Sequence, residues 1–277
     1  MPPRRDAVRR CGRVLIIAGS DSGGGAGIQA DIKTVTALGG YAASAVTALT
    51  AQNTQGVFGI RDVPAEFIVR QIEVVLGDIG ADCVKIGMLH RPEVVDVVCN
   101  ALATVGRDIP VVLDPVMVAK GGHALLTQPA AEILRDRLVP LATVLTPNLP
   151  EAFALTGASD RTVAVALAQQ LLTLGPRAVL LRGGHAVGPR IVDVLAAQGG
   201  APEVFESPRI ETRHTHGTGC TLASAIATGL AQGLDVFAAV VRARAYVREA
   251  IRTAPGFGRG YGPLNHGFTV RPFPADR

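Results

Sequence analysis

The 277-residue sequence has no tryptophan, three tyrosines and eight phenylalanines, so aromatic residues make up only 4% of it. A core must then come from Val, Leu, Ile and Ala, which suits a parallel sheet buried between helices better than a β-sandwich. Cysteine is scarce too. Cys11, Cys83, Cys99 and Cys220 stand far apart, with neither metal-ligand spacing nor a disulfide framework, so a reducing cytoplasm is the expected setting. Cys83 and Cys99 fall in apolar segments and read as core residues. Nowhere do about 18 apolar residues run together, so no membrane span is expected. Val14–Ala18 is too short for the apolar part of a signal peptide, and Asp21 follows it closely.

An excess of one charge is also missing from most of the chain. The formal net charge is +4, but Arg4, Arg5, Arg9 and Arg10 against Asp6 supply three of those charges at the very start. No later stretch interleaves clustered arginine with aromatics, which excludes nucleic acid as an expected partner. Residues 1–12 read as a disordered basic leader and 13–277 as one domain.

What is present is an alternation of apolar runs and helical patterns. Strands are expected at 13–19, 42–49, 57–63, 83–86, 111–114, 143–146 and 178–182. Helices are expected at 26–38, 64–78, 92–105, 129–138, from about 150, and at 163–174, 217–232 and 236–252. Residues 191–195 and 203–206 suggest a late antiparallel hairpin. This order predicts a doubly wound α/β fold, its mostly parallel central sheet covered by helices on both faces, with a small edge hairpin. Ligands of such sheets bind beyond the carboxyl ends of the strands. The chemically unusual residues stand there: Asp21–Ala26, Gln52-Asn53, Met88, Asp114–Met117, Asn148 and Arg182–His185.

The glycine loop Ser20–Gly25 lacks the Lys-Ser/Thr of a Walker A loop, and Ile28 spoils G-x-G-x-x-G. It is equally compatible with a plain connector. Asp31 reads as a solvent-facing helix residue or as a ligand contact. Gln52 reads as loop polarity or as a donor–acceptor pair for a ring edge. Asn148-Leu149-Pro150-Glu151 has the form of a capping box, and Glu151 could instead help hold hydrated Mg²⁺. Asp114 could serve a metal or a turn. Gly217-Thr218-Gly219-Cys220 opens a run of small residues, where backbone N–H groups and the helix dipole favour an anion and a lowered thiol pKa. Cys220 could be nucleophile, general base or packing residue. His214 and His216 nearby read as structural.

In chain order, the stretches Ala18–Asp31, Thr47–Thr54, Lys85–Leu89, Leu113–Met117, Thr146–Ala152 and Thr215–Thr221 resemble the hydroxymethylpyrimidine/phosphomethylpyrimidine kinases of thiamine biosynthesis, members of the ribokinase-like superfamily. The resemblance covers the chain from about Val14 to His266. It implies two ATP-dependent steps: phosphorylation of 4-amino-5-hydroxymethyl-2-methylpyrimidine, then of its monophosphate. By the same resemblance Gln52, Asp31 and the Ala26 backbone would bind the pyrimidine edge, with Met88 and Val116 against the ring. Gly217, Thr218 and Gly219 would form the anion hole, Cys220 would be the base, and Asn148 and Glu151 would be associated with Mg²⁺, with Asp114 as a further metal candidate. A homodimer is implied, with the 57–63 strand as candidate edge, and K⁺ could join Mg²⁺. Relatives usually carry lysine where Arg182 stands. The rival readings are a pyridoxal kinase on the same fold and a non-catalytic pyrimidine-binding sensor.

Overall fold

The computed structural model describes residues 11–119, 121–123, 125–159 and 162–274. Most of the expected leader lies outside these residues. Gly12 does not belong to a free arm: it is buried, and its carbonyl accepts the Tyr41 N–H at 2.9 Å.

One nine-stranded sheet organises the fold. Its strands are β1 (Arg13–Asp21), β2 (Tyr41–Asn53), β3 (Gly56–Asp62), β4 (Cys83–Ile86), β5 (Val111–Leu113), β6 (Val144–Leu145), β7 (Ala178–Leu181), β8 (Arg190–Ala197) and β9 (Glu203–Pro208). They lie in the order β3-β2-β1-β4-β5-β6-β7-β8-β9. The six strands from β2 to β7 pair in parallel, and each edge is antiparallel: β3 on β2, and the β8–β9 hairpin on β7. The topology reverses at β1, which has β2 on one side and β4 on the other. That makes the carboxyl ends of β1 and β4 the place for a ligand.

Burial on both faces explains the continuous apolar strands. Along β1, Leu15 and Ile17 face a core that includes Ile68 and Ile72 of α2 (Ala65–Asp78) and Val95 of α3 (Pro92–Thr104). Val14, Ile16 and Ala18 face Ala223 and Ile226 of α7 (Thr218–Ala231) and Ala243 of α8 (Val236–Arg252). The alternation follows from the two-residue period of a strand. The remaining helices are α1 (Gly27–Ala37), α4 (Gln128–Ile133), α5 (Leu149–Thr156) and α6 (Ala164–Leu172). The single helix expected at 129–138 is instead α4 followed by a π-helical turn over Leu134–Leu138 and a 3₁₀ turn over Val139–Leu141. Among the described residues, no helix is long and apolar enough to cross a membrane.

The alternation also explains a charged pair at the centre. Lys85 of β4 points with Cys83 to the α1/α7 face and is fully buried. Its ammonium donates to both carboxylate oxygens of Asp31 on α1, at 2.9 and 2.8 Å, and the Ser224 hydroxyl of α7 adds a third bond at 2.7 Å. Burial disfavours the Lys85 charge, but Asp31, Cys220 and Asp114 outweigh it and push its pKa up to about 12. Lys85→Met leaves the Asp31 charge unpaired and is expected to cost about 3–5 kcal/mol in urea unfolding, whereas Lys85→Met with Asp31→Leu recovers most of that loss. Additive losses would show that the pair does not act as a unit.

Candidate active site

The carboxyl end of β1 builds one side of the site. Asp21 is buried, and its carboxylate accepts the N–H groups of Gly23 (2.8 Å), Gly25 (3.1 Å) and Ala26 (2.8 Å). It also accepts from Nε2 of His216 at 2.8 Å. Burial pushes the Asp21 carboxyl up, but His216 and the Ala26 and Gly23 amides outweigh it and hold the pKa below the ordinary value. The glycine loop is thus more than a connector. It wraps one carboxylate and packs directly on the turn before α7, where a Cβ on Gly217 (φ 83°) would land on the Gly25 carbonyl oxygen. Only glycine fits there.

Across this junction lies an open cavity of about 340 Å³ lined by Gln52, Thr54, Val57, Ala119, His123, His216 and Tyr261, among others. Behind it, Met88 and Val116 meet Ala48, Val57, Ile60 and Ala119 in a small apolar cluster. Val57 and Ala119 belong to both sets, so Met88 and Val116 lie next to the wall that carries Gln52. The glycine-rich segment 256–262 forms part of the same wall: Tyr261 N–H donates to the Thr54 carbonyl at 2.8 Å, and the Gly262 carbonyl accepts the His216 N–H at 3.1 Å.

Two expectations change here. Asp31 is neither solvent-facing nor available to a ligand. It is fully buried, and its two oxygens are taken by Lys85 and Ser224, because a carboxylate in that interior must be paired. The Ala26 backbone is also largely spent, since its N–H goes to Asp21 and its carbonyl accepts Ala30 N–H at 3.2 Å.

The second half of the site is the start of α7. Its first turn carries amides without intrahelical acceptors next to the positive end of the dipole: Thr218 N–H reaches the Thr215 carbonyl at 3.4 Å, and the Gly219 and Cys220 amides follow it. Arg182, after β7, lies against this turn: a Cβ on Gly219 would strike its guanidinium and approach Asp114. Its Nη2 donates to Asp114 Oδ1 and to Glu151 Oε2, both at 3.0 Å, while its buried Nε has no partner among the described residues. Glu151 and Asn148 do form the capping box of α5, with Asn148 N–H on Glu151 Oε2 (2.8 Å) and Glu151 N–H on Asn148 Oδ1 (2.9 Å). Asn148 therefore aims Glu151, and Glu151 in turn faces Arg182. Burial pushes the Glu151 carboxyl up to about 7; Arg182 opposes this and Asp114 adds to it.

Two carboxylates converging on one cationic nitrogen are hard oxygen donors of the kind that suits a hydrated Mg²⁺, which needs few protein ligands. Among the described residues, no group of three or more His, Cys, Asp or Glu forms an all-protein cage. The donor set fits a cation that brings its own water or phosphate oxygens.

Cys220 departs most from expectation. The helix start favours thiolate, yet burial pushes the thiol up to about 12. Lys85 opposes this, while Asp31 and Asp114 reinforce it. The dipole is outweighed because the thiol loses water and faces two carboxylates. Sequence reading also missed Asp21, His216 and Lys85 as organising residues. Their positions in the quoted stretches were the available signal, but His216 and Asp21 are 195 residues apart and nothing local links them.

A mostly parallel sheet with a cavity at its switch point, and a glycine-opened helix start ringed by Arg182, Asp114 and Glu151, define a ribokinase-like small-molecule kinase. The description "Phosphomethylpyrimidine kinase" belongs to a family model that matches residues 21–265, and the chain belongs to that family of thiamine-biosynthesis phosphotransferases. It is 49% identical to a hydroxymethylpyrimidine/phosphomethylpyrimidine kinase of Streptomyces coelicolor, over 93% of this chain and 95% of that one. It is 53% identical to the thiamine biosynthesis bifunctional protein ThiED of Geobacter sulfurreducens over 92% of its own length, and spans 52% of that longer protein. Among solved structures, the phosphomethylpyrimidine kinase of Clostridium difficile superposes with a TM-score of 0.77 at 42% identity, over 86% of this chain and 99% of that one. The ADP complex of Bacillus subtilis pyridoxal kinase gives 0.84 at 34% identity, over 92% and 97%.

With Cys11→Ser as background, alkylation of Cys220 by iodoacetamide is expected to be slow at pH 8 and to keep rising through pH 10. A plateau near the ordinary thiol pKa of about 8.5 would contradict the raised value.

Proposed function

We propose that the chain transfers the γ-phosphoryl group of ATP to the hydroxymethyl group of 4-amino-5-hydroxymethyl-2-methylpyrimidine, and then a second phosphoryl group to the resulting monophosphate. The observation that carries this reading is the juxtaposition of a ring-sized cavity bearing Gln52 with the anion-binding turn Gly217–Cys220. Gln52 binds the pyrimidine edge, and Met88 and Val116 supply apolar contact to the ring. The first-turn amides of α7 stabilise the charge of the transferring phosphoryl group, the largest contribution a protein makes to such a reaction. Arg182 adds a fixed positive charge beside that turn. Mg²⁺, arriving with ATP, would be held by Asp114 and Glu151, the latter aimed by Asn148, and would neutralise phosphate charge. The cytoplasm, a homodimer and a K⁺ requirement belong to the same proposal.

Cys220 takes the proton of the attacking oxygen as thiolate. With a pKa of about 12, only roughly one molecule in 10⁴ holds that thiolate at pH 8, though it is then a strong base. Log kcat is therefore expected to climb about one unit per pH unit between pH 7 and 9. Cys220→Ala should abolish the slope and lower kcat by about 10²-fold with ligand binding retained. Unchanged turnover would remove Cys220 from the chemistry.

The TM-score of 0.84 to a pyridoxal kinase supports the second reading, phosphorylation of pyridoxal. Comparing kcat/KM for the pyrimidine, its monophosphate and pyridoxal with ATP and Mg²⁺ decides between them. The aminopyrimidine and its monophosphate are expected to lead, and a preference for pyridoxal would reverse the assignment. Tight pyrimidine binding without any transfer would instead favour a sensor.

A further inference from the structure

The polar groups around Gln52 carry more information than their distances alone. The Thr50 hydroxyl has one proton and two acceptors within reach, the Ser20 carbonyl at 2.8 Å and Gln52 Oε1 at 3.2 Å. With the proton on the shorter contact, Thr50 Oγ1 is left only to accept, which calls for the Gln52 amide turned over so that its NH₂ faces Thr50. On the other side, His216 Nε2 stands 2.8 Å from Asp21 Oδ2. Asp21 is an acceptor held ionised by the three backbone amides that surround it, so Nε2 must carry a proton. Gln52 Nε2 lies 3.3 Å from the same nitrogen, which sets donor against donor. Turned over, the carboxamide sets its NH₂ toward Thr50 and its oxygen beside the one Nε2–H of His216, which then points mainly at Asp21 and is shared with Gln52 as a bifurcated bond. The opposite orientation sets oxygen against oxygen and N–H against N–H.

We propose that His216, held by Asp21, is a specificity-determining positioning residue that, together with Thr50, fixes the orientation of the Gln52 amide and so the donor–acceptor order that the cavity reads. The inference rests on the proposed pyrimidine kinase activity. After these two contacts Gln52 keeps one N–H and one oxygen lone pair, and it lines the cavity. A 4-aminopyrimidine presents a ring-nitrogen acceptor beside an amino donor, the edge a fixed carboxamide pairs with bidentately, as it does with adenine. A 4-oxopyrimidine presents the reverse order, N–H beside carbonyl. An amide free to turn over accommodates either edge; a locked one rejects the second. The neighbourhood supports the lock. The His216 backbone N–H is bonded to the Gly262 carbonyl, and the imidazole ring packs so closely on Gly25 that a Cβ there would strike it, which restrains the ring on that side.

The test compares kcat/KM for 4-amino-5-hydroxymethyl-2-methylpyrimidine and its 4-oxo analogue. The unmodified protein is expected to favour the amino compound by about 10²-fold. In His216→Leu and in Thr50→Val the ratio is expected to shrink about tenfold, with kcat/KM for the oxo compound rising in absolute terms and the KM for ATP unmoved. A purely structural loss would lower both substrates together. His216→Gln, which returns an N–H donor at similar reach, is expected to restore most of the discrimination. Long-range ¹⁵N–¹H correlation on the ligand-free protein above pH 8 should find His216 as the Nε2–H tautomer. An Nδ1–H tautomer, or folded His216→Leu and Thr50→Val proteins with ratios within about twofold of the starting value, would overturn the inference. Failure of the unmodified protein to phosphorylate either pyrimidine would overturn the functional assignment instead, and the tautomer measurement would still judge the lock.

Discussion

The site depends on one carboxylate. Asp21 ends the first strand, gathers three amides of the following loop and binds His216 at the entrance to α7. A buried carboxylate without such partners would be costly, and each partner it acquires fixes a piece of chain. The loop is forced close enough to α7 that Gly217 and Gly25 can carry no side chain. The cavity and the first turn of α7 are thereby placed side by side, from stretches far apart in the sequence.

Beneath that junction lies a second charged element, the Lys85–Asp31–Ser224 cluster, and beside it a third, Arg182 between Asp114 and Glu151. Together they place two cations and three carboxylates around the first turn of α7. The electrostatics of Cys220 follow from this crowd rather than from the helix dipole. A dipole effect worth about 0.3–1 kcal/mol is small beside the desolvation of a thiol and the repulsion of neighbouring carboxylates. Catalysis by preorganised charge suits this arrangement, because phosphoryl transfer asks for positioning and charge stabilisation more than for a strong base.

Much of the fold was legible in the chain. The apolar runs at 83–86 and the helix at 236–252 coincide with β4 and α8, because buried parallel strands and amphipathic helices declare themselves by composition and period. The edge hairpin and the short strand after Asn53 were also legible; that this strand runs antiparallel to β2 was not. Boundaries were less so: β2 runs four residues further than the pattern suggests, to Asn53, since its end is set by pairing with β3. The change to a π-helical turn at Leu134 leaves no mark in the local sequence.

By itself the sequence determined the layered α/β architecture, the glycine-opened helix start, the capping box at Asn148 and Glu151, and the family, because these rest on local propensity and ordered motifs. Tertiary structure alone decided the fate of individual polar side chains. It withdrew Asp31 into an ion pair, gave Glu151 the partner Arg182 in addition to its place in the cap, raised the Cys220 pKa instead of lowering it, and set His216 between Asp21 and Gln52. The reason is common to all four. A polar group's role depends on which partners replace its lost water, and those partners arrive from distant parts of the chain.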